Sequence, residues 1–257
     1  AYLTSDNDYK ADEINFLENS VTKIHVDGKD VYLTVENDDD VLKVEGAVGK
    51  DFKVRNNNTA VIAQVNTDRL TYDGRANYFY AAGKNATLTV DGSVQTAEIW
   101  LNGAKGEYYN GDIRVVDASQ VEGRTTLVGN DYDNVITGAQ DGGWLWGGDS
   151  TSNDTLIGSD GNDIFFYGVT SGNEGADSIV GASENDTLYL FNTDISNLND
   201  LVALSASDST MTIKFTAGGS LTMDNKGQTI TLGNLGSVAF DTSAENDDGT
   251  RGAWVLR

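Results

Sequence analysis

Residues 158–165 read Gly-Ser-Asp-Gly-Asn-Asp-Ile-Phe, and their pattern recurs through the middle of this 257-residue chain. The segment joins a turn rich in glycine and acidic residues to the start of an apolar strand. Glycine supplies the backbone angles that tight turns need. A six-residue turn followed by a three-residue strand makes a unit of nine residues, so the segment predicts a chain that bends at regular intervals between short strands.

Copies of this pattern lie on both sides of the segment, each with Asn or Asp placed one or two residues before a hydrophobic residue. A related copy occupies 181–188, expanded copies occupy 147–156 and 172–179, and a degenerate copy occupies 129–136. Repetition at a short period is typical of architectures in which one structural unit stacks on the next. The copies therefore predict a stack of similar turns.

The aspartates that precede the strands fall at positions 154, 163, 177 and 186, at separations of 9, 14 and 9 residues. Two nine-residue units form one coil, so turns that share an edge lie roughly 18 residues apart in a regular stack of nonapeptide repeats. Here the pairs on one edge are Asp154 with Asp177 and Asp163 with Asp186, each 23 residues apart. The longer turn at 169–175 accounts for the excess, and we expect it to bulge outward.

Stacked turns bring carboxylates close together, where they repel one another unless a cation lies between them. Calcium takes six to eight oxygen ligands and mixes carboxylates with backbone carbonyls, whereas magnesium demands strict octahedral geometry and keeps its waters. Zinc prefers nitrogen and sulfur ligands. The sequence therefore predicts several bound Ca²⁺ ions, although turns in which Asx side chains merely cap their own backbone are the alternative. The candidate ligands are Asp131, Asp133, Gly147, Asp149, Asn153, Asp154, Gly158, Asp160, Asn162, Asp163, Gly172, Glu174, Asp177, Gly181, Asn185 and Asp186.

From about Leu127 to Leu190 the chain resembles the RTX (hemolysin-type) calcium-binding nonapeptide repeat, Gly-Gly-x-Gly-x-Asp-x-hydrophobic-x. The copy at 158–166 lacks only the second glycine, and the copy at 147 has a turn two residues longer than the pattern. The copy at 129 has Tyr132 in place of glycine and Asn134 in place of the ligand aspartate. The resemblance implies a parallel β-roll, Ca²⁺ in the turns, and secretion to the extracellular surface of a Gram-negative-type bacterium.

The remainder of the chain predicts strands, because apolar residues alternate with polar ones over short runs every 8–14 residues. We expect an all-β fold in which a parallel β-roll or β-solenoid segment (126–192) is stacked between strand-rich N-terminal (1–125) and C-terminal (193–257) regions. The first region is either solenoid-like or a sandwich. One amphipathic pattern, Ile195, Leu198 and Leu201-Val202, predicts a short helical turn. The alternating runs of the first region are Val31–Val35, Leu42–Val44, Phe52–Val54, Val61–Val65, Leu70–Tyr72, Leu88–Val90, Ile99–Leu101 and Ile113–Val115.

Composition excludes several classes of partner. The chain has 40 acidic and 17 basic residues and a formal net charge of −23. Phosphate backbones and anionic lipids repel such a chain, so we expect no binding to nucleic acids or membrane surfaces. No apolar run approaches the ~18–20 residues that span a bilayer, so we expect no membrane insertion. It has no cysteine and one histidine, which excludes disulfides, thiol catalysis and the HExxH zinc-protease motif. We expect that the protein is not an enzyme.

Two tryptophans, Trp144 and Trp146, lie on one face of a predicted strand. They are expected to cap the roll or to pack under a neighbouring loop, and a platform on which a sugar stacks is the alternative. A glycan is therefore a candidate partner beside self-association and other surface proteins.

These observations predict a secreted calcium-binding structural protein of the bacterial cell surface, such as an S-layer, filament or adhesin subunit, whose folding and assembly Ca²⁺ drives. Two alternatives stay open. One is a C-terminal RTX secretion and folding module of a larger exoprotein, and the other is a carbohydrate-binding module.

Overall fold

The computed structural model of the protein is all-β, and the residues it describes contain no helix. No described segment forms a helix with the length and hydropathy required to cross a membrane. The described residues are 2–3, 13–16, 21–35, 41–49, 51–56, 59–66, 68–74, 78–101, 111–148, 151–168, 175–183, 185–191, 201–206, 210–215, 219–224, 230–232, 236–245 and 251–256.

Contacts divide the chain into two compact units, Ala1–Asp91 with Gly103–Val115 and Gly92–Asn102 with Val116–Arg257. The division of the chain into three zones by composition stays a prediction. The strands of the first unit are β1 (Tyr2–Leu3), β2 (Glu13–Phe16), β3 (Val21–Asp27), β4 (Asp30–Val35), β5 (Val41–Val44), β6 (Asp51–Asn56), β7 (Thr59–Asn66), β8 (Arg69–Tyr72), β9 (Tyr78–Val90) and the first five residues of β11 (Gly111–Asp117).

The first unit contains two sets of paired strands. One set has the order β1-β5-β4-β3, in which β3, β4 and β5 form antiparallel pairs. The other set has the order β11-β9-β7-β6-β2, with β8 parallel to β9. Alternation along β4 places Val31 and Leu33 in the core of this unit.

The second unit contains two sheets that are mainly parallel in their central strands. Its first sheet has the order β10-β12-β14-β16-β18-β22-β23-β24, and its second sheet contains β13, β15, β17, β21, β20 and β19 in that order. From β12 to β18 successive strands alternate between the two sheets. These strands are β10 (Ala97–Trp100), β12 (Thr125–Val128), β13 (Val135–Thr137), β14 (Gly142–Trp146), β15 (Thr155–Ile157), β16 (Asn162–Gly168), β17 (Ala176–Val180), β18 (Thr187–Phe191), β19 (Leu201–Ala206), β20 (Thr210–Phe215), β21 (Ser220–Asp224), β22 (Ile230–Leu232), β23 (Gly236–Glu245) and β24 (Arg251–Leu256).

Each parallel pair from β12 to β18 has an offset, meaning the number of residues along the chain that separates two paired positions. The lengths of the intervening turns set this offset. The offset is smallest between β12 and β14, where Thr125 pairs with Gly143 and the regular spacing of two nonapeptide units is kept. Gly143 pairs in turn with Asp163 of β16, which is a longer step along the chain. The offset is longest between β15 and β17, where Thr155 pairs with Ser178, and between β16 and β18. These two longest offsets equal the sequence separation of the aspartate pairs, so the expected register is confirmed.

Apolar side chains at equivalent positions form two stacks inside the second unit. Every member is buried, and burial of a side chain of this size contributes roughly 1.5–3 kcal/mol. One stack runs across the first sheet and the other across the second. Their members are Leu127, Leu145, Phe165 and Leu188 in the first sheet, and Ile136, Leu156, Ile179 and Met223 in the second.

Most strand predictions are confirmed, and the helical one is wrong where it is described. The alternating runs of the first region fall on β4 to β11, with only Leu101 beyond a strand end. Leu201 and Val202 begin strand β19, which pairs with β20 in an antiparallel hairpin. The neighbouring strand overrides a weak local helical pattern here. Ile195 and Leu198 lie outside the described residues.

Leu145→Ala tests the inward stack. Leu145 is fully buried and touches the stacked positions of both neighbouring strands, so the change should lower the free energy of unfolding by about 2–5 kcal/mol in a urea titration. Val135→Ala is the control, because Val135 is 38% exposed and its loss should change stability by less than about 1 kcal/mol. Equal effects of the two changes would contradict the inward placement of Leu145.

Candidate metal centre

Four repeat aspartates lie beside the two apolar stacks, at the N-terminal ends of the same strands. Asp163 and Asp186 lie two residues before stacked residues of the first sheet, and Asp154 and Asp177 lie two residues before stacked residues of the second. Because side chains two residues apart in a strand point the same way, the carboxylates point inward. Asp154, Asp163 and Asp186 are almost completely buried as a result.

On the second sheet the side chains of Asn134, Asp154 and Asp177 form a ladder that crosses β13, β15 and β17. The backbone N–H of Asn134 donates to Oδ1 of Asp154 over 2.8 Å, and the N–H of Asp154 donates to Oδ1 of Asp177 over 2.9 Å. Ser152 Oγ donates to the other oxygen of Asp154 over 3.1 Å. Each carboxylate is thus fixed to the backbone of the preceding strand.

A matching ladder lies on the first sheet. The N–H of Asp163 donates to Oδ1 of Asp186 over 2.8 Å. Oδ2 of Asp163 accepts the N–H of Ser159 at 2.7 Å, and Oδ2 of Asp186 accepts the N–H of Ser183 at 2.6 Å. Each aspartate therefore binds its own turn, and Asp186 also binds the neighbouring strand.

A second, exposed row runs beside the buried ladder of the second sheet. The N–H of Asn153 donates to Oδ1 of Asp133 over 2.9 Å, and the N–H of Ala176 donates to Oδ1 of Asn153 over 2.8 Å. This row places Asp133 within electrostatic range of both Asp154 and Asp177. Three carboxylates consequently act on one another at this edge.

Glycine is required where the backbone comes close to these carboxylates. A Cβ atom on Gly147 would collide with the carboxylate of Asp154. Gly181 has a φ of 77°, in the left-handed region that favours glycine, at the start of the turn that carries Asp186. The glycines of the repeat thus make room for the acidic side chains and bend the chain beneath them.

Burial raises the pKa of all four aspartates. The pKa of Asp154 rises to about 7, and those of Asp163 and Asp177 rise to about 6; the pKa of Asp186 shifts in the same direction. Amide donors oppose the shift, while neighbouring carboxylates add to it: Asp177 and Asp133 act on Asp154, and Asp186 acts on Asp163. Near neutral pH the ladders therefore favour a bound proton or a cation.

One carboxylate oxygen of this network lacks a hydrogen-bond donor among the described residues. This oxygen, Oδ1 of Asp163, is buried. It faces the preceding turn, since a Cβ atom on Gly138 would lie 3.4 Å from it. The available donors here are carboxylate and carbonyl oxygens, which suit a hard cation such as Ca²⁺. Within the described ranges no three acidic or histidine side chains converge as a complete cage, so a cation here would need backbone carbonyls as further ligands.

The structure brings together only part of the predicted ligand set. Asp133, Asn153, Asp154 and Asp177 meet at one edge, with Gly147 beside Asp154, and Asp163 and Asp186 meet at the other edge, with Gly158 and Gly181 in their turns. Four predicted ligands instead have exposed side chains that join neither buried ladder, namely Asp131, Asp160, Asn162 and Asn185. Asp149, Gly172 and Glu174 lie outside the described residues.

Sequence reasoning missed two kinds of residue. The first kind is a serine that hydrogen-bonds a ladder aspartate: Ser152 with Asp154, Ser159 with Asp163, and Ser183 with Asp186. The sequence signal for them is a serine two to four residues before each of these three aspartates. Asn134, which departs from the repeat pattern, belongs to the ladder as its uncharged first member. An amide therefore fits the position that aspartate occupies in the next two strands.

The pKa shifts predict that metal-free protein loses stability as pH rises. Unfolded aspartates titrate near pH 3.9, so between about pH 4 and pH 7 the folded state retains protons that the unfolded chain has released. Its free energy of unfolding falls over that window. We expect the melting temperature in EDTA to be several degrees higher at pH 5 than at pH 7.5.

The Asp154→Asn variant distinguishes deprotonation of Asp154 from general charge repulsion as the cause of the stability loss, because the whole chain has a net charge of −23. The amide has no proton to lose at this position, so the variant should show a shallower fall of melting temperature with pH. An unchanged slope would show that Asp154 does not titrate with a raised pKa.

Comparisons with known proteins add no family to this geometry. No family model matches the chain, and neither the search of curated proteins nor the search of solved structures found a match. The resemblance to RTX repeats therefore stays a prediction that rests on the residues themselves.

Proposed function

We propose that the central strands of the second unit form a β-roll or β-solenoid segment that Ca²⁺ holds together. Three features support this architecture: successive strands from β12 to β18 alternate between two sheets, their pairs are parallel, and equivalent side chains stack in both sheets. The offset between paired strands of one sheet spans two turns and two strands, which is the length of one coil.

Buried pairs of like charge are the observation that carries the proposal. Asp154 lies beside Asp177 and Asp163 beside Asp186, and both pairs occur between the same successive layers of strands. Taking unpaired carboxylates out of water is unfavourable by several kcal/mol unless a counter-charge is present. A cation bound between turns supplies that charge and strengthens the stack.

Calcium is the cation that these donors favour. Carboxylates and backbone carbonyls are hard oxygen ligands, and calcium tolerates the irregular geometry of turns of unequal length. Extracellular calcium modules bind their ion with dissociation constants of about 10⁻⁴–10⁻³ M. A site of this kind is empty in a calcium-poor cytosol and filled outside the cell, so it couples folding to secretion.

The function that follows is that of a secreted structural protein of the bacterial cell surface, such as an S-layer, filament or adhesin subunit. Strands throughout the chain, stabilisation by ions in place of disulfides, and a charge of −23 all support a scaffold in a calcium-rich medium. We propose no catalytic activity for it, and we place it outside the cell.

Thermal melting across a calcium titration at pH 7.5 tests this function. Binding to the folded state alone adds about 2.7 kcal/mol per site when calcium reaches a hundred times its dissociation constant. We expect calcium to raise the melting temperature, EDTA to reverse the rise, and magnesium at the same concentration to raise it much less. A melting temperature and β-sheet circular dichroism spectrum that are identical in calcium and in EDTA would contradict the proposal.

Asp154→Asn and Glu122→Gln form a matched pair for the same measurement, because each removes one negative charge. Asp154→Asn should leave the metal-free protein as stable as the wild type or more stable, since it removes a buried like-charge contact, and should reduce the gain from calcium. Glu122 is exposed and lies outside the ladders, so Glu122→Gln should keep the full gain. If both variants lose the same part of the calcium-induced rise in melting temperature, the ion does not bind at Asp154.

A further inference from the structure

An aromatic row lies on the outward face of the first sheet of the second unit. Trp144 on β14 is 49% exposed and Tyr189 on β18 is 39% exposed, with Phe166 on β16 between them. Ring centroids are 5.4 Å apart from Trp144 to Phe166 and 5.6 Å apart from Phe166 to Tyr189. Exposed apolar patches of this kind mark interaction surfaces in soluble proteins.

The row borders an open groove of about 330 Å³. Trp100 and Trp146 line it together with Val128 and Thr126 of the intervening strand. Trp144 also lines the groove and is its most exposed aromatic residue. The face thus presents a half-exposed indole in the wall of an open apolar groove. We call this surface, Trp100, Val128, Trp144, Trp146, Phe166 and Tyr189, the aromatic face.

Charge distribution indicates which partner this face accepts. Among the described residues of β10, β12, β14, β16 and β18, Glu98 is the one charged side chain that points outward, and its Oε1 accepts the indole N–H of Trp100 over 2.9 Å. The whole chain nevertheless has a net charge of −23. A basic partner would be attracted to other surfaces. A second copy would meet little charge repulsion at this face.

We propose that the aromatic face is where two copies of this chain associate about a two-fold axis. Such an axis brings the same patch of both copies together, so the two grooves face each other and Trp144 of each copy packs against the aromatic face of the other. Tryptophan and tyrosine dominate the binding energy at the buried centres of protein interfaces. The inference rests on the proposed structural role, which requires contacts between subunits, and it does not require the calcium sites.

Salt dependence distinguishes this contact from one held by charges. The rest of each copy is strongly acidic, so repulsion opposes association and added NaCl screens it. The aromatic contact itself is not weakened by salt. Dimerisation should therefore become tighter as NaCl is raised, whereas a contact made by ion pairs would become weaker.

Sedimentation equilibrium of the full chain in excess calcium tests the proposal with two variants. Wild-type protein should form a dimer reversibly, and Trp144→Ser should raise the dimer dissociation constant on the order of tenfold or more. Tyr132→Ser is the control, because Tyr132 is also a largely exposed aromatic residue of this unit but lies outside the aromatic face, and its dimer should be unchanged. Trp144→Phe should restore most of the association, and circular dichroism checks that each variant is folded.

Other results would overturn the inference. A wild-type monomer at every concentration and salt level, or a Trp144→Ser variant that dimerises like the wild type, excludes the aromatic face as the contact. If a monomer is instead retarded by hydroxyethyl cellulose or dextran in affinity electrophoresis and Trp144→Ser abolishes the retardation, the face binds sugar. If the protein is a monomer but calcium still raises its melting temperature, the dimer is excluded and the proposed function stands. If the protein is a dimer but calcium does not change its melting temperature, the proposed function is excluded and the interface stands.

Discussion

Backbone amides that donate to buried carboxylates of the neighbouring strand are the interaction on which the second unit depends. The N–H groups of Asn134, Asp154 and Asp163 each point at an acidic side chain one strand away. These bonds fix the register at the turns, where regular sheet pairing ends. They also place acidic side chains next to one another inside the protein, so the contact that aligns the strands also creates electrostatic repulsion.

Much of this arrangement could be predicted from the sequence because spacing is a geometric quantity. Once the aspartates and the apolar residues two positions later recur together, parallel pairing brings Asp154 to Asp177 and Leu156 to Ile179. The alternation that defines the strands of both units is equally local, which is why most of their positions were correct.

The rest depends on choices that spacing does not encode. A carboxylate that reaches a turn can rotate toward a cation, toward its own backbone or toward the next strand, and Asp186 does the last two at once. The serines that hydrogen-bond the aspartates could not be told apart by sequence from the other serines of the chain. Pairing with β20 likewise determines that Leu201 lies in a strand, and the residues around Leu201 do not indicate that partner.

The position of the charged pairs along the stack has a mechanical consequence. Asn134 precedes Asp154 in one ladder, Gly143 precedes Asp163 in the other, and Leu221 follows Asp177. Among the described residues the like-charged pairs of the ladders therefore occur at one seam, between β15 with β16 and β17 with β18, and Asp133 adds to the repulsion there from the turn before β13. If a cation balances these charges, as proposed, its withdrawal would weaken the stack at this seam first, while the outer layers would keep their hydrocarbon contacts.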